Sequence, residues 1–182
     1  MSDPHAEQKP TTSAPVHIVR YDAAWPEMFE GERAALETLL GPWLVGPIEH
    51  IGSTAVPGLA AKPVIDIMAA VRALETSRAA IAELARYGYC YSAYREDVMH
   101  WLCKPSDSFR THHLHLVPFR SKLWFERLAF RDHLRTHPGI AEEYAALKRE
   151  LARRHEVDRE RYTEEKLPFV ERVLSLAQQD EK

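Results

Sequence analysis

The spacing of apolar residues changes along the chain, and each spacing predicts a different kind of secondary structure. Strand-like apolar runs occupy Val16–Tyr21, Pro47–Ile51, Pro63–Val71, Val98–Lys104 and Thr111–Phe119. Helical spacing is found at Pro26–Leu40, Glu75–Tyr87 and Lys122–Arg135, and again from Pro138 and from Thr163 onwards. The predicted fold is therefore α/β (α+β), a small mixed sheet with flanking helices and a helical C-terminal third.

Local signals refine two of these elements. In the helix over Glu75–Tyr87, the apolar residues Ile81, Leu84 and Ala85 are expected to face inward, and Gly88 stands where a C-terminal cap is expected. The turn residues Pro-Ser-Asp-Ser, between the last two predicted strands, indicate that these strands form a hairpin.

The first fifteen residues have a different composition from the rest of the chain. Met1–Pro15 is polar, contains three prolines and offers almost nothing to bury, which predicts a disordered N-terminal tail. The remaining chain has the size of one domain. We therefore expect a single domain over residues 16–178.

Composition and charge exclude several classes of function. The 182 residues carry a formal net charge of −3, whereas general nucleic-acid binders are usually strongly basic; a small anionic ligand remains open. Cys90 and Cys103 are too few for a disulfide framework and are expected to be reduced thiols. The chain shows neither a signal-peptide order nor an uncharged apolar run of roughly 20 residues. We therefore expect a cytoplasmic protein without membrane contact.

Asp66 is the first candidate for chemistry, because it lies inside the apolar run Val64–Val71. A carboxylate buried there without a partner costs several kcal/mol or takes up a proton. Asp66 is therefore either a structural residue paired with Lys62 or an arginine, or a carboxylate that faces a metal or a substrate. The residues that precede it favour the second interpretation.

The segment His50–Pro63, before this strand, has the residues of a phosphate-binding turn. Gly52 lets the backbone approach a bound group, and Ser53 and Thr54 offer hydroxyl and amide groups. Lys62 adds a positive charge for the same anion. The order of a Gly-Ser turn and a carboxylate in the next apolar strand predicts a phosphate site next to Asp66.

This order resembles the signature of the DNA polymerase beta-like nucleotidyltransferase superfamily. The longer string from His50 to Asp66 is similar to the GrpB family within that superfamily. The likeness continues through Arg110–Leu116, Leu128–Asp132, Tyr144–Lys148 and Tyr162–Lys166, and it covers nearly everything from Val16 to Ala177. The resemblance implies the nucleotidyltransferase fold and a nucleotide or other phosphorylated small molecule as partner, with Asp66 and Ser53 as catalytic residues.

The chain departs from the superfamily pattern at the second acid, which lies two residues after the first and helps to hold divalent ions. That position is Met68, and a thioether is a poor ligand for Mg²⁺. His113 and His115 share one face of their strand. They are either solvent-facing or core-capping histidines, or they replace the missing carboxylate beside Asp66. Imidazole with carboxylate favours Mn²⁺, Zn²⁺ or Ni²⁺ over Mg²⁺, so a divalent metal on Asp66, His113 and His115 is the expected cofactor.

The helical third contains two Tyr-x-x-x-Lys pairs, Tyr144 with Lys148 and Tyr162 with Lys166, each on one helical face. Each pair alone is typical of an aromatic residue at the edge of the core with a lysine that reaches to water. Both pairs belong to the GrpB-like string, as does Arg131. The resemblance thus implies a basic wall that faces the sheet and binds phosphate.

Three functions remain open. The first is a nucleotidyltransferase-like protein that binds a nucleotide or phosphorylated small molecule and transfers a nucleotidyl group with a divalent metal. The second is a catalytically inactive nucleotide- or metabolite-binding module, which Met68 favours. The third is a transition-metal-dependent hydrolase that uses Asp66, His113 and His115.

Overall fold

The computed structural model describes residues 15–180, so the predicted tail lies, up to residue 14, outside the described residues. The helices of this part are α1 (Trp25–Leu40), α2 (Leu74–Ser77), α3 (Ala80–Arg86), α4 (Lys122–Thr136), α5 (Pro138–Arg154), α6 (Arg159–Glu164) and α7 (Leu167–Asp180). The strands are β1 (Leu44–Ile51), β2 (Ile65–Val71), β3 (Cys90–Ser92), β4 (His100–Pro105) and β5 (Arg110–Pro118), and a 3₁₀ turn covers Ser53–Ala55. This arrangement confirms the predicted mixed α/β fold with a helical C-terminal region.

The five strands form one mixed sheet in the order β1-β2-β5-β4-β3. β2 is antiparallel to β1 and parallel to β5, while β5 is antiparallel to β4, which is the expected hairpin. In the parallel pair, Asp66 lies opposite His113 and Met68 lies opposite His115. The register therefore brings the carboxylate and the two histidines onto neighbouring interior strands.

Helices cover both faces of the sheet, and the alternation along β2 decides which side chains lie on which face. Ile65, Ile67 and Ala69 contribute to the core that also contains residues of α1 and α3. Met68 and Ala70 contribute to a smaller core with residues of α4. Because side chains alternate along a strand, Asp66 lies on the same face as Met68, next to the helical C-terminal third.

The predicted first strand over Val16–Tyr21 is wrong. This segment makes one isolated antiparallel bridge, between Val19 and Ala61, and joins no sheet. Its apolar residues have another partner: Val16 and Ile18 pack against the C-terminal helices. The alternating pattern therefore reflects burial against helices instead of pairing in a sheet.

The helix predicted over Glu75–Tyr87 is divided into α2 and α3. The hydroxyl of Ser77 donates to the carbonyls of Ala73 and Leu74 at this division, a local bond that competes with regular helix. The break changes the helical phase, so that Leu84 is buried as predicted while Ala85 is exposed. The prediction for Ala85 is therefore wrong.

Two further differences lie at short elements. The three-residue strand β3 follows Gly88, whose φ of 93° fits the predicted helix cap, and is too short to show an alternating pattern. The last predicted helix begins earlier than Thr163 and forms two helices, α6 and α7. Pro168 stands at the second position of α7, where a proline favours the start of a new helix.

Cys90 and Cys103 are free thiols, as expected, and lie opposite each other on β3 and β4. Within residues 15–180, none of the helices combines the length and the apolar character that crossing a bilayer requires.

Candidate functional site

The candidate site is centred on Asp66, at the start of β2. Its Oδ1 atom lies 2.8 Å from Nδ1 of His113 and 4.0 Å from Nε2 of His115. The parallel register explains both distances, because His113 is directly opposite Asp66 and His115 is two residues further along the same face. The structure thus brings together the three residues that the sequence pattern predicts as metal ligands.

The protonation of this group follows from its contacts. Burial raises the pKa of Asp66, but the hydrogen bond from His113 and the nearby charge of His113 and His115 outweigh it and hold the pKa well below the usual range. Asp66 is therefore ionised and can only accept hydrogen bonds. Nδ1 of His113 thus carries a hydrogen atom and donates the hydrogen bond to Asp66. Burial lowers the pKa of His115 to about 4, so this imidazole is neutral at pH 7.

Gly52 lies directly against Asp66, and two observations show why a glycine is needed there. Its φ of 70° is in the left-handed region. A Cβ atom at this position would lie 2.4 Å from Oδ2 and 2.9 Å from Cβ of Asp66. Any larger residue would therefore displace the carboxylate.

Ser53 follows Gly52 and contacts α5. Its hydroxyl accepts a hydrogen bond of 2.9 Å from Nζ of Lys148, which also donates to the carbonyl of Ala60. Burial, Lys166 and other nearby positive charges lower the pKa of Lys148 to about 7. The centroid of the Tyr144 ring lies 4.6 Å from the same ammonium group. This arrangement joins the turn before β2 to the first Tyr-x-x-x-Lys pair.

Lys62 and Lys166 approach the same region from two other segments. Both ammonium groups lie over the ring of Tyr162, at 5.0 Å and 4.3 Å from its centroid. Burial lowers the pKa of Lys166 to about 7 and also lowers the pKa of Lys62, while Asp66 acts on both in the opposite direction. Within residues 15–180, neither these lysines nor Lys148 has a carboxylate oxygen within 4 Å, so the three cations share Asp66 as a distant counter-charge.

Arg127 of α4 also belongs to this region, although the sequence motifs did not single it out. Its positive charge lowers the pKa of Lys166 and of His115. The signal that points to it is its position four residues before Arg131, on the same side of α4.

Two predicted phosphate-binding residues have other partners. The hydroxyl of Thr54 donates to the carbonyl of Val64 and lies 3.0 Å from Nε2 of His50. The guanidinium group of Arg131 forms ion pairs with Glu49 and Asp132 and donates to the carbonyl of His50. The structure therefore places both residues in structural contacts of β1, and it does not bring Arg131 to the lysines around Asp66.

The superfamily resemblance implies divalent ions between two carboxylates, and the residues present do not fit such a two-metal centre. Met68, at the second acidic position, is fully buried in the apolar core beside α4. A single metal on Asp66, His113 and His115 remains a prediction. A different group in residues 15–180 has three ligand atoms within 4.8 Å of one another, namely His133, His137 and Asp180.

The chain is similar to known proteins over most of its length. The GrpB protein family model matches residues 15–176. The chain is 34% identical over 165 residues to the glutamate-rich protein GrpB of Alkalihalophilus pseudofirmus, covering 88% of this chain and 94% of that relative. It is 36% identical over 140 residues to the UPF0157 protein YqkA of Bacillus subtilis, covering 77% of this chain but 40% of that relative. The crystal structure of the conserved protein GrpB from Enterococcus faecalis matches with a TM-score of 0.81 and 36% identity, covering 90% of this chain and 98% of that one. The chain therefore belongs to the GrpB protein family.

Proposed function

We propose that the region around Asp66 binds a phosphorylated small molecule, with a nucleotide as the first candidate. The observation that carries this proposal is the convergence of Lys62, Lys148 and Lys166 without a carboxylate within 4 Å in residues 15–180. The family resemblance supports a nucleotide among the phosphorylated compounds.

The charge of the region favours an anion. Burying an ammonium group without an acidic partner costs free energy, and the lowered pKa values of Lys148 and Lys166 express that cost. Asp66 provides one negative charge, and its Oδ1 atom already accepts a hydrogen bond from His113. A phosphate supplies several acceptor oxygens and up to two negative charges, so it neutralises these cations where water and Asp66 do not.

The finer proposal is nucleotidyl transfer to an acceptor hydroxyl or amine. The acceptor oxygen or nitrogen attacks the α-phosphorus atom, the bond between this atom and the pyrophosphate oxygen breaks, pyrophosphate leaves, and the proton of the acceptor passes to solvent. Lysine ammonium groups around the phosphates stabilise the charge that is redistributed in this step. Asp66 holds His113 by its Nδ1–H group, which fixes the orientation of the imidazole ring beside the phosphates.

Binding without catalysis is the second candidate, and one observation favours it. The buried Met68 removes the second carboxylate that two-metal nucleotidyl transfer uses, while the lysines that bind phosphate do not depend on that position. The hydrolase alternative depends on metal binding by Asp66, His113 and His115 and is tested separately.

Calorimetry tests the binding proposal. The full-length protein is titrated with ATP, with pyrophosphate and with adenosine, and the same titrations are made with Lys148→Met, Lys166→Met and the control Lys122→Met, whose side chain is 90% exposed. We expect ATP and pyrophosphate to bind and adenosine to bind poorly. Losing one charged hydrogen bond should weaken ATP binding about tenfold or more, and Lys122→Met should bind normally. Equal ATP affinity in all three variants, or equal binding of adenosine and ATP, would contradict the proposal.

A turnover assay distinguishes the proposal of an enzyme from the proposal of a non-catalytic binding module. α-Labelled ATP or CTP is incubated with the wild-type protein and with Asp66→Asn, with and without added divalent metal. Transfer of the label, or release of pyrophosphate, that disappears in Asp66→Asn supports nucleotidyl transfer. Tight binding without any product supports the non-catalytic module, and metal-stimulated hydrolysis of phosphate esters supports the hydrolase.

A further inference from the structure

A second group of metal-ligating side chains lies away from Asp66, at the end of α4. His133 and His137 are four residues apart, at the last turn and the C-terminal cap of α4, and Asp180 is the last residue of α7. Four-residue spacing places both imidazoles on one helical face. The packing of α7 against α4 then adds the carboxylate, 43 residues further along the chain.

The distances within this group suit a metal ion. Oδ2 of Asp180 lies 3.1 Å from Nδ1 of His133 and 3.8 Å from Nε2 of His137, and the three ligand atoms lie within 4.8 Å of one another. Bonds of about 2.0–2.2 Å from a tetrahedral zinc ion to nitrogen or oxygen would place ligand atoms about 3.3–3.5 Å apart. The observed separations lie on both sides of this range, so the three atoms are close enough to reach one ion after a rotation of one ring.

The hydrogen bonds of His137 determine its tautomer. Its Nδ1 atom lies 3.0 Å from the carbonyl oxygen of His133 and 3.0 Å from Oγ1 of Thr136. A carbonyl only accepts, so Nδ1 of His137 carries the proton and Nε2 keeps a free lone pair. Oδ2 of Asp180 lies 3.8 Å from this nitrogen, and a cation between the two atoms would bind both.

The backbone around the group also favours a cation. α4 ends here, and the C-terminal end of a helix carries partial negative charge from carbonyls without helical partners. His133 is buried, and its Nε2 atom has no hydrogen-bond partner in residues 15–180. The imidazole is thus held at Nδ1 alone, through its contact with Asp180.

We propose that His133, His137 and Asp180 form a transition-metal site, with Zn²⁺ as the best-suited ion, that fastens the end of α7 to the end of α4. Two imidazoles and one carboxylate are a suitable donor set for Zn²⁺, and water completes the coordination. The two rings are stacked, with centroids 3.9 Å apart and an interplanar angle of 17°. His137 must therefore turn to bring the ion into the plane of its ring, and its side chain is 41% exposed, which leaves room for this rotation.

The site is tested with Zn²⁺ itself, on the full-length chain without an affinity tag and after removal of metal by a chelator. Zn²⁺ binding is measured by competition with a chromophoric chelator, and the change of melting temperature is recorded. The variants are His137→Gln and Asp180→Asn, both of which alter exposed side chains. The controls are His155→Gln, which alters a histidine paired with Glu165, and Asp66→Asn, which alters the site at the sheet.

We expect a high-affinity Zn²⁺ ion at this site in the wild type and in both controls, together with a rise in melting temperature. His137→Gln and Asp180→Asn should each bind this ion at least about tenfold more weakly and lose the thermal shift, while their metal-free melting temperatures stay near that of the wild type. If two ions bind, only one of them should be lost in these variants. Unchanged Zn²⁺ affinity in both variants, absence of Zn²⁺ binding in the wild type, or loss of the ion in Asp66→Asn alone would each overturn the proposal.

Discussion

Gly52 approaches Asp66 so closely that a Cβ atom on residue 52 would lie 2.4 Å from the carboxylate oxygen Oδ2. The contact joins the turn after β1 to the start of β2, directly before Ser53. Gly52 also has a φ of 70°, in the left-handed region. Both the backbone conformation and the lack of space therefore require glycine at this position.

Replacing Gly52 by alanine should therefore damage the site more than the same change at Gly58. Gly58 has a similar φ of 79°, but a Cβ atom there meets nothing within 4 Å. Both variants carry the cost of a left-handed alanine, on the order of 1 kcal/mol, and only Gly52→Ala also displaces Asp66. We expect Gly52→Ala to melt at the lower temperature and to lose ATP binding, whereas Gly58→Ala retains it. Equal thermal melts and equal ATP affinities would show that the close contact has no functional consequence.

Asp66→Asn should destabilise the protein near pH 7. The pKa of Asp66 is held below its usual value of about 3.9, so its ionised form stabilises the folded state above that pH. This contribution disappears as the pH falls through the lower pKa of the folded state. Denaturant unfolding should show a loss of about 1–3 kcal/mol at pH 7 and a smaller loss at pH 3. Asp132→Asn, at a half-exposed ion pair, is the control and should cost less. If the Asp66→Asn protein were as stable as the wild type at pH 7, the ionised carboxylate would make no net contribution to the free energy of unfolding.

Lys148→Met should have the opposite effect on the ligand-free protein. Lys148 is 2% exposed, and its lowered pKa of about 7 means that the folded state binds fewer protons than the unfolded state between pH 7 and about 10.4. The cost of the buried ammonium group is therefore greatest below pH 7 and decreases as the pH rises toward 10. Methionine removes this free-energy cost, so the melting temperature should rise by about 2–4 °C for each kcal/mol of cost removed. The rise should be larger at pH 6 than at pH 9. Lys122→Met should change little at either pH, and a large loss of stability in Lys148→Met would identify a structural lysine.

Ligand affinity should depend on pH through the same lysines. Lys148 and Lys166 have lowered pKa values of about 7 in the ligand-free protein, and a bound phosphate favours their charged forms. Binding therefore takes up protons above pH 7, and ATP affinity should fall as the pH rises from 7 to 9, by up to about tenfold per pH unit for each lysine that must be charged. Calorimetry in two buffers of different ionisation enthalpy measures the proton uptake. An affinity independent of pH over this range would show that neither lysine titrates on binding.

Metal preference at Asp66 is best measured in a His137→Gln background, which removes the site proposed at the end of α4. If His113 and His115 are ligands beside Asp66, Mn²⁺, Zn²⁺ or Ni²⁺ should bind this variant more tightly than Mg²⁺, because imidazole nitrogen suits these ions better. Adding Asp66→Asn should abolish the binding. Tight Mg²⁺ binding, or no metal binding at all, would reject the predicted cofactor.

The sequence by itself determined the local parts of this picture. Strand alternation places His113 and His115 on one face, and the apolar residues on both sides of Asp66 are enough to mark its carboxylate as unusual. Periodicity also predicts the mixed fold, because it reflects the one face that each element must bury. It failed at Val16–Tyr21, where apolar residues are buried against helices and the backbone does not join the sheet.

Only the tertiary structure decided which charged residues meet. Lys148 contacts Ser53 across 95 positions of the chain, and no local pattern encodes that distance. Arg127 and Arg131 are equivalent by helical spacing, yet Glu49 and Asp132 engage Arg131, while Arg127 acts on the lysine region. Spacing within one element follows from the helical repeat, whereas the partner of a side chain depends on how separate elements pack.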